Sequence, residues 1–376
     1  MDELSYVIRN GKKLRKGYTT GSTAAAAARA ATLVLFKKKK ISSVQIDTPA
    51  NIKLTLSVEE IKYNQNMVKA GIRKDGGDDP DITDGIMIYA EVREIKKDFD
   101  NQKRIVIKGG KGVGKITRTG LPVPEGEPAI NPVPRKMIRK EVNNVLPDSK
   151  KVMVIIEIPQ GEELAQKTLN PEVGIKGGLS ILGTTGIVEP MSHKAYKDSI
   201  KIKLNQVIEN DPDKVVLVFG NYGFKKAQAL GYPSSIIVKM SNYVGFMLDR
   251  CLEKEINQVV IIGHLGKLVK VAGGIFNTHS KIADCRMEIL AAYTASFGVD
   301  KKLVNNILQA ATTEQAYTLI KEAGYNRVFR KLAERIQERC RKYVKKQLEI
   351  KVIIFTFNSS GILAGQGLEN EVISDE

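Results

Sequence analysis

Val215-Val216-Leu217-Val218-Phe219-Gly220-Asn221-Tyr222-Gly223 and Gln258-Val259-Val260-Ile261-Ile262-Gly263-His264-Leu265-Gly266-Lys267 are the stretches that decide the fold. Each is a short, unbroken apolar run closed by glycine and followed by a helical pattern. A strand without polar alternation is buried on both faces, as in a parallel sheet covered by helices. Between the two runs, Val244, Met247, Leu248, Cys251 and Leu252 recur at the spacing of a core-facing helix stripe. Phe329, Leu332, Ala333, Ile336, Cys340 and Tyr343 form a second stripe, and residues 351–357 read as a closing strand. Strands alternating with helices predict a Rossmann-like domain with a mainly parallel sheet. Cys251 and Cys340 then read as core packing, not chemistry.

Residues 151–158 are a further, nearly continuous apolar run and are assigned to the same domain. The expected boundary therefore falls near residue 148, dividing the chain into 1–148 and 149–376. Upstream, the texture differs. Thr19-Thr20-Gly21-Ser22 opens an alanine-dominated run to Ala31 and on to Phe36, read as a helix capped by Ser22 or Thr23. A helix so poor in bulk lets another backbone or a ligand come close. Short β-like runs follow at 44–46, 52–58, 67–72, 86–92 and 104–107, predicting an antiparallel α+β domain. The fold class is thus α+β followed by α/β.

Composition narrows the function. The 376 residues are 42% hydrophobic and 27% charged, ordinary for a soluble globular protein able to build a core without staples. No apolar run approaches the ~20 residues of a membrane-spanning helix. The opening residues carry acids early and do not read as a secretory signal. Three widely spaced cysteines, Cys251, Cys285 and Cys340, argue against a disulfide framework and fit a reducing cytosol, so a cytoplasmic location is expected. Lys and Arg number 59 against 42 Asp and Glu, a surplus of +17 that attracts polyanions. The lysines are dispersed, with one dense run at Lys37-Lys38-Lys39-Lys40, and there is no Trp and no RNA-binding signature. Nucleic acid is not an expected partner. A solvated basic surface accounts for most of the charge, and a basic pocket for an acidic ligand is compatible with it. A homo-oligomer is left open.

Several stretches could carry chemistry. Gly109-Gly110-Lys111-Gly112-Val113-Gly114-Lys115 nearly fits a phosphate loop, but Ile116 stands where Ser or Thr should hold magnesium. It reads either as a tight connector or as a turn whose amides approach a ligand. Asp75-Gly76-Gly77-Asp78-Asp79-Pro80-Asp81 lacks the spacing of a calcium loop and reads as a polar turn, or as carboxylates offered to a ligand or partner domain. Gly177 through Ser192 interleaves glycines and hydroxyls with apolar residues and reads as a ligand loop, with Ser192 capping a following helix. Gly220–Gly223 and Gly263–Lys267 stand where open α/β sheets bind ligands, beyond strand carboxyl ends. Asp284 and Glu288, four apart, would share a helix face beside His279. That group reads equally as proton handling or as a capping and ion-pair cluster with Lys281 and Arg286. Three histidines and no Cys-x-x-Cys spacing indicate no metal site.

Taken in order, these segments resemble the cobalt-precorrin-5B C1-methyltransferase family. Gly17-Tyr18-Thr19-Thr20-Gly21-Ser22 is similar to its opening motif, and Lys74 to Asp81 to its acidic loop. Gly112-Val113-Gly114 through Gly120-Leu121, then Glu127-Pro128-Ala129-Ile130-Asn131-Pro132-Val133-Pro134-Arg135, look like its middle signature. Ser180 to Ser192, Gly220 to Gly223, and Gly263-His264 through Lys267, Lys270 and His279 are similar to later blocks. Asp84 departs from the pattern, standing where a His is expected, and Ser22-Thr23 replaces a Thr-Cys or similar pair. The resemblance implies transfer of a methyl group from S-adenosylmethionine to a ring carbon of a cobalt-bound tetrapyrrole rich in carboxylates, the cobalt arriving with the substrate. On that reading the expected donor contacts are Gly183, Thr184, Thr185, Gly186, Gly220, Asn221, Gly223, Gly263, His264 and Gly266. Thr19, Thr20, Arg118, Arg135, Lys267 and Lys270 are expected on the substrate, with His279 and Asp284 polarising or moving a proton. The first domain would serve the substrate and the second the donor. The alternative is a carrier of the tetrapyrrole that does no chemistry.

Overall fold

The computed structural model describes residues 5–9, 11–38, 41–64, 66–95, 104–171, 173–210, 213–357 and 363–365. Lys39 and Lys40 of the lysine run lie outside the described residues. The fold mixes α and β structure, with antiparallel and parallel sheets, in two compact units, Met1–His193 and Lys194–Glu376.

In the first unit a five-stranded sheet runs in the order Glu60–Asn64, Met67–Arg73, Met87–Glu94, Val152–Glu157, Ile105–Gly109. Its pairings are antiparallel except the last, which is parallel. The expected boundary near 148 therefore falls inside this unit. The run assigned to the second domain is instead an inner strand here, with Val152, Val154 and Ile156 wholly buried. An apolar run specifies burial and is silent about which sheet supplies it.

Helix Thr20–Lys37 packs on that sheet and against helix Pro132–Asn143. Ala24 to Ala28, Ala30 and Ala31 have no exposed surface, so over this stretch the helix contributes only methyl groups to its packing. The cap is Thr19, not Ser22 or Thr23: its hydroxyl accepts from the Ser22 N–H at 3.2 Å. Arg29 Nη1 meets the buried Glu141 Oε2 at 2.6 Å, and Glu141 Oε1 accepts from Asp47 N at 3.2 Å. That carboxylate ties both helices to the hairpin formed by Ser43–Asp47 and Lys53–Ser57.

The stretch resembling a phosphate loop is a connector. Gly112, at φ +71°, has no room for a side chain, because a Cβ would overlap the Ile158 carbonyl. Its own carbonyl accepts from Leu179 N at 2.9 Å, while Ile158 N donates to Lys111 O at 2.9 Å. Three chain segments thus cross at backbone contact. The acidic loop is a polar turn with its carboxylates engaged internally. Asp75 takes both Arg15 Nη1 (2.5 Å) and Nη2 (2.7 Å), and Asp81 takes the buried Lys74 at 2.8 Å. Asp79 accepts from Met191 N at 2.8 Å, and Asp84 from Gly76 N at 2.6 Å. The hydrogen bond from Arg15 is the main reason the Asp75 carboxyl is held below the usual carboxylate range.

The second unit holds the sheet announced by the two glycine-ended runs. Its order is Ile237–Lys239, Lys214–Val218, Gln258–His264, Glu349–Phe355, Ala364–Gly365; the first four strands are mutually parallel and the last pairs antiparallel. The first strand in the chain lies between the second and third, so the order reverses there. Helices Val244–Glu253 and Arg327–Tyr343 bury the expected stripes except at their ends, where Leu252 is half-buried and Tyr343 exposed, and burial pushes the Cys251 and Cys340 thiols up to about 12, consistent with inert packing. Helix His193–Asn210 begins directly after Ser192, as the sequence placed it.

Ala27→Leu would force bulk into the methyl-thin layer above the first sheet. It should cost about 1–3 kcal/mol, read as a lower denaturant midpoint for the first unit. An unchanged midpoint would show that the layer has slack.

Candidate active site

Parallel pairing puts the carboxyl ends of four strands of the second unit on one edge, with the loops that follow them. Val218 is in register with Ile262, which brings Gly220 opposite His264 where the order reverses. Among the described residues, a side-chain carbon built on Gly220 would meet nothing within 4 Å, which leaves space before this strand end. Such a reversal in an open α/β sheet leaves a crevice for a ligand.

His264 caps helix Leu265–Ala272. Its Nδ1 accepts from Gly266 N at 3.1 Å, so in the neutral ring the proton sits on Nε2, which lies 2.5 Å from Glu314 Oε1. Its ring stacks on Phe357 with centroids 4.4 Å apart. Both nitrogens are engaged, making His264 a fixed wall and leaving no free base.

The same helix carries Lys267 and Lys270. Lys267 Nζ donates to Asn242 Oδ1 at 2.7 Å, and Thr278 Oγ1 shares that oxygen at 3.2 Å. Lys270 is 2% exposed, and its Nζ donates to the Thr278 carbonyl at 3.2 Å. Among the described residues neither ammonium forms an ion pair with a carboxylate. Burial, then the other cations of the cluster, hold both amines below the usual lysine value: Lys270 and Arg286 act on Lys267, and Arg286 acts on Lys270. Ser241, beside Asn242, is held at φ 53°, a strained backbone for a non-glycine residue. Clustered, poorly compensated cations beside a strained turn are chemically suited to an anion.

The Gly183–Gly186 loop lies in the first unit and is seated on the start of the alanine helix. Gly21 N donates to Leu182 O at 3.0 Å, and Thr19 N to Gly186 O at 3.1 Å. Thr20 Oγ1 donates to Leu182 O (3.2 Å) and accepts from Leu182 N (2.9 Å), while Ser22 Oγ donates to Gly186 O at 2.6 Å. The loop thus joins Thr19 and Thr20, both buried, and leaves Thr184 and Thr185 exposed. The glycine segments expected to converge on the donor are divided between the units: Gly183–Gly186 in the first, Gly220–Gly223 and Gly263–Gly266 in the second.

Other expected residues fare unevenly. Arg135 is engaged internally, by Ile130 O at 2.8 Å, Pro128 O at 3.1 Å and Glu127 Oε2 at 3.3 Å. Arg118 is exposed and lies against Gly174. Asp284 and Glu288 do not share a helix face, because helix Arg286–Ala295 starts after Asp284, with Glu288 in its first turn. Asp284 pairs instead with Arg286 Nε at 2.8 Å, and His279 Nδ1 accepts from Lys281 N at 3.1 Å. The ion-pair and turn alternative accounts for both contacts. Asn242, Thr278, Glu314, Tyr222 and Phe357 are the residues that sequence reasoning missed; uncharged, or distant in the chain, they carried no pattern of their own. Among the described residues no group of three or more His, Cys, Asp or Glu could hold a metal ion, and no helix is long and apolar enough to cross a membrane.

Two units of mixed α/β structure, one with a basic, glycine-turned sheet edge, place the chain in the class of two-unit α/β proteins. The chain belongs to the CbiD family: the family model matches residues 7–190, and the model of the CbiD C-terminal domain matches residues 277–366. A cobalt-precorrin-5B C(1)-methyltransferase of Thermoanaerobacter sp. (strain X514) is 50% identical over 364 residues, covering 96% of this chain and 98% of the relative. Another so named, from Methanocaldococcus jannaschii, is 47% identical over 362 residues, covering 96% and 98%. A crystal structure of a cobalamin biosynthesis protein (cbiD) from Archaeoglobus fulgidus is 30% identical with a TM-score of 0.38, covering 71% of this chain and 83% of that one.

Lys270→Met removes a buried charge that has no carboxylate counter-ion. Because the folded-state value of Lys270 lies below its unfolded value, the folded form binds fewer protons in that window and stability rises with pH across it. The cost of Lys270 is full below the folded value and gone above about 10.4. The variant should match or exceed the unliganded wild type in stability at neutral pH, and the gap should close as pH rises towards that value. Urea titrations at several pH values read this; a variant much less stable at neutral pH would contradict the description of the site.

Proposed function

We propose that this chain methylates C1 of cobalt-precorrin-5B, with S-adenosylmethionine as donor, giving cobalt-precorrin-6A in anaerobic cobalamin biosynthesis. One observation carries the reading: near end-to-end kinship, at 50% and 47% identity, with proteins bearing that activity as their name. The basic sheet edge is chemically apt, because the substrate bears many acetate and propionate groups.

The donor supplies an electrophilic methyl on sulfur, and displacement from it needs alignment more than acid or base. Holding two reactants in line and away from water can supply ~7–11 kcal/mol of a barrier. We read the second unit as a Rossmann-like module that holds the donor before Gly220–Gly223 and Gly263–Gly266; the reversal in strand order and the open space at Gly220 support this. Lys267 and Lys270, steered by Asn242 and Thr278, take a substrate carboxylate. The first unit serves the tetrapyrrole side. Its Gly183–Gly186 loop, seated on Thr19 and Thr20, is assigned there in place of the donor role expected for it, and Arg118 is the more available of the two expected arginines. His279 and Asp284 act in shaping the loop before helix Arg286–Ala295. The cobalt enters as part of the substrate, and a cytoplasmic location suits the three free cysteines.

The test is anaerobic incubation with cobalt-precorrin-5B and isotopically labelled S-adenosylmethionine, followed by mass analysis. One labelled methyl on the macrocycle is expected; none, where a homologous enzyme gives product, would refute the activity. Lys267→Ala should raise KM for the tetrapyrrole about tenfold or more while changing kcat much less.

A further inference from the structure

Three rings stand together at the reversal edge of the second unit, within and beside the segments read above as holding the donor, and no role has yet been given to the rings themselves. Tyr222, in the first turn of helix Asn221–Ala229, is 70% exposed, and Phe357, just past strand Glu349–Phe355, is 57% exposed. Their centroids lie 5.0 Å apart with the rings inclined at 67°, making an open corner. Behind it, the His264 ring stacks on Phe357 at 4.4 Å and 22°, covering one face of that ring. Glu314 Oε1 fixes the assembly, meeting His264 Nε2 at 2.5 Å and accepting from Phe357 N at 3.4 Å.

Large rings left in water at the end of a packed sheet run against the usual driving force, and such exposure marks a recognition surface. The corner lies on the same sheet edge as Gly220, where, among the described residues, a side-chain carbon would meet nothing within 4 Å, which leaves room there for a planar group. Stacked and edge-on contacts suit a flat, electron-poor heteroaromatic ring, while the carboxylate wall of Glu314 does not suit the anionic margin of a tetrapyrrole. We propose that Tyr222 and Phe357, backed by His264 and Glu314, form the stacking subsite for the adenine ring of the methyl donor. This rests on the reading that the donor binds the second unit, and it names the residues that grip it. The two rings bind and orient, and neither takes part in bond making.

Calorimetric titration of the full chain with S-adenosylhomocysteine, and separately with adenosine, tests the assignment. Tyr222→Ala and Phe357→Ala should each weaken S-adenosylhomocysteine binding by about tenfold or more and abolish measurable adenosine binding. Tyr222→Phe should keep wild-type affinity, because the ring face does the work. Both side chains are exposed, and circular dichroism would verify that the variants fold; Tyr222→Ala leaves the His264–Phe357 stack untouched. Wild-type affinity in both alanine variants would overturn the subsite while leaving the donor reading intact. Raised KM for the tetrapyrrole with unchanged nucleoside affinity would overturn it in favour of a macrocycle contact. Failure of the wild type itself to bind S-adenosylhomocysteine would bring down the donor reading and the subsite together.

Discussion

Strand Gln258–His264 is bonded in parallel on both sides, to Lys214–Val218 and to Glu349–Phe355, with its residues from Val259 to Gly263 buried. A parallel strand cannot turn back on itself, so every connection must cross the sheet and return to the same end. The carboxyl ends of the strands then share an edge by necessity. Gly220, Asn242, His264 and Phe357 come from segments far apart in the chain, yet each follows a strand of this sheet and arrives at that edge. Register does the fine placement: shifting Val218 against Ile262 by one residue would turn every side chain of the strand to the opposite face of the sheet and into the wrong packing layer.

The edge concentrates charge that the fold does not neutralise internally. Elsewhere the chain matches buried ionic groups with care, as with Lys74 on Asp81 and Arg29 on Glu141. Lys270, equally buried, has a carbonyl for its partner, and Lys267 an amide oxygen. Such an arrangement costs stability in the unliganded protein and suits an anion that arrives from outside. The contrast between matched cations in the first unit and poorly matched ones in the second is a distinction among charges that the net charge of +17 does not reveal.

The first unit solves a different problem, that of close approach. A helix sheathed in alanine lies on the sheet, presenting little more than methyl groups along its middle, and the loop after Leu182 docks on its first turn through backbone carbonyls taken by Thr20, Gly21 and Ser22. The glycine crossing at Gly112 works by the same means, letting backbones touch where a side chain would part them. The Gly109–Lys115 stretch, open in sequence to a connector or a ligand turn, is engaged here in chain packing, and the acidic loop likewise turns its carboxylates inward to Arg15, Lys74 and backbone amides.

Local chemistry alone determined a good deal. Alanine content dictated the first helix, unbroken apolar runs dictated the buried strands, the i, i+3, i+4 stripes dictated the helices burying Cys251 and Cys340, and the ordered set of motifs identified the family. These depend on short-range periodicity and composition, which a linear text preserves. Tertiary structure decided the rest. It moved residues 151–158 into the first sheet, chose Thr19 over Ser22 as cap, ended the shared helix face of Asp284 and Glu288, and gathered Asn242, Thr278, Glu314, Tyr222 and Phe357 around the lysines and His264. Strand partners and side-chain neighbours are fixed by which buried surfaces fit together across long chain separations, and no local pattern of residues encodes that fit.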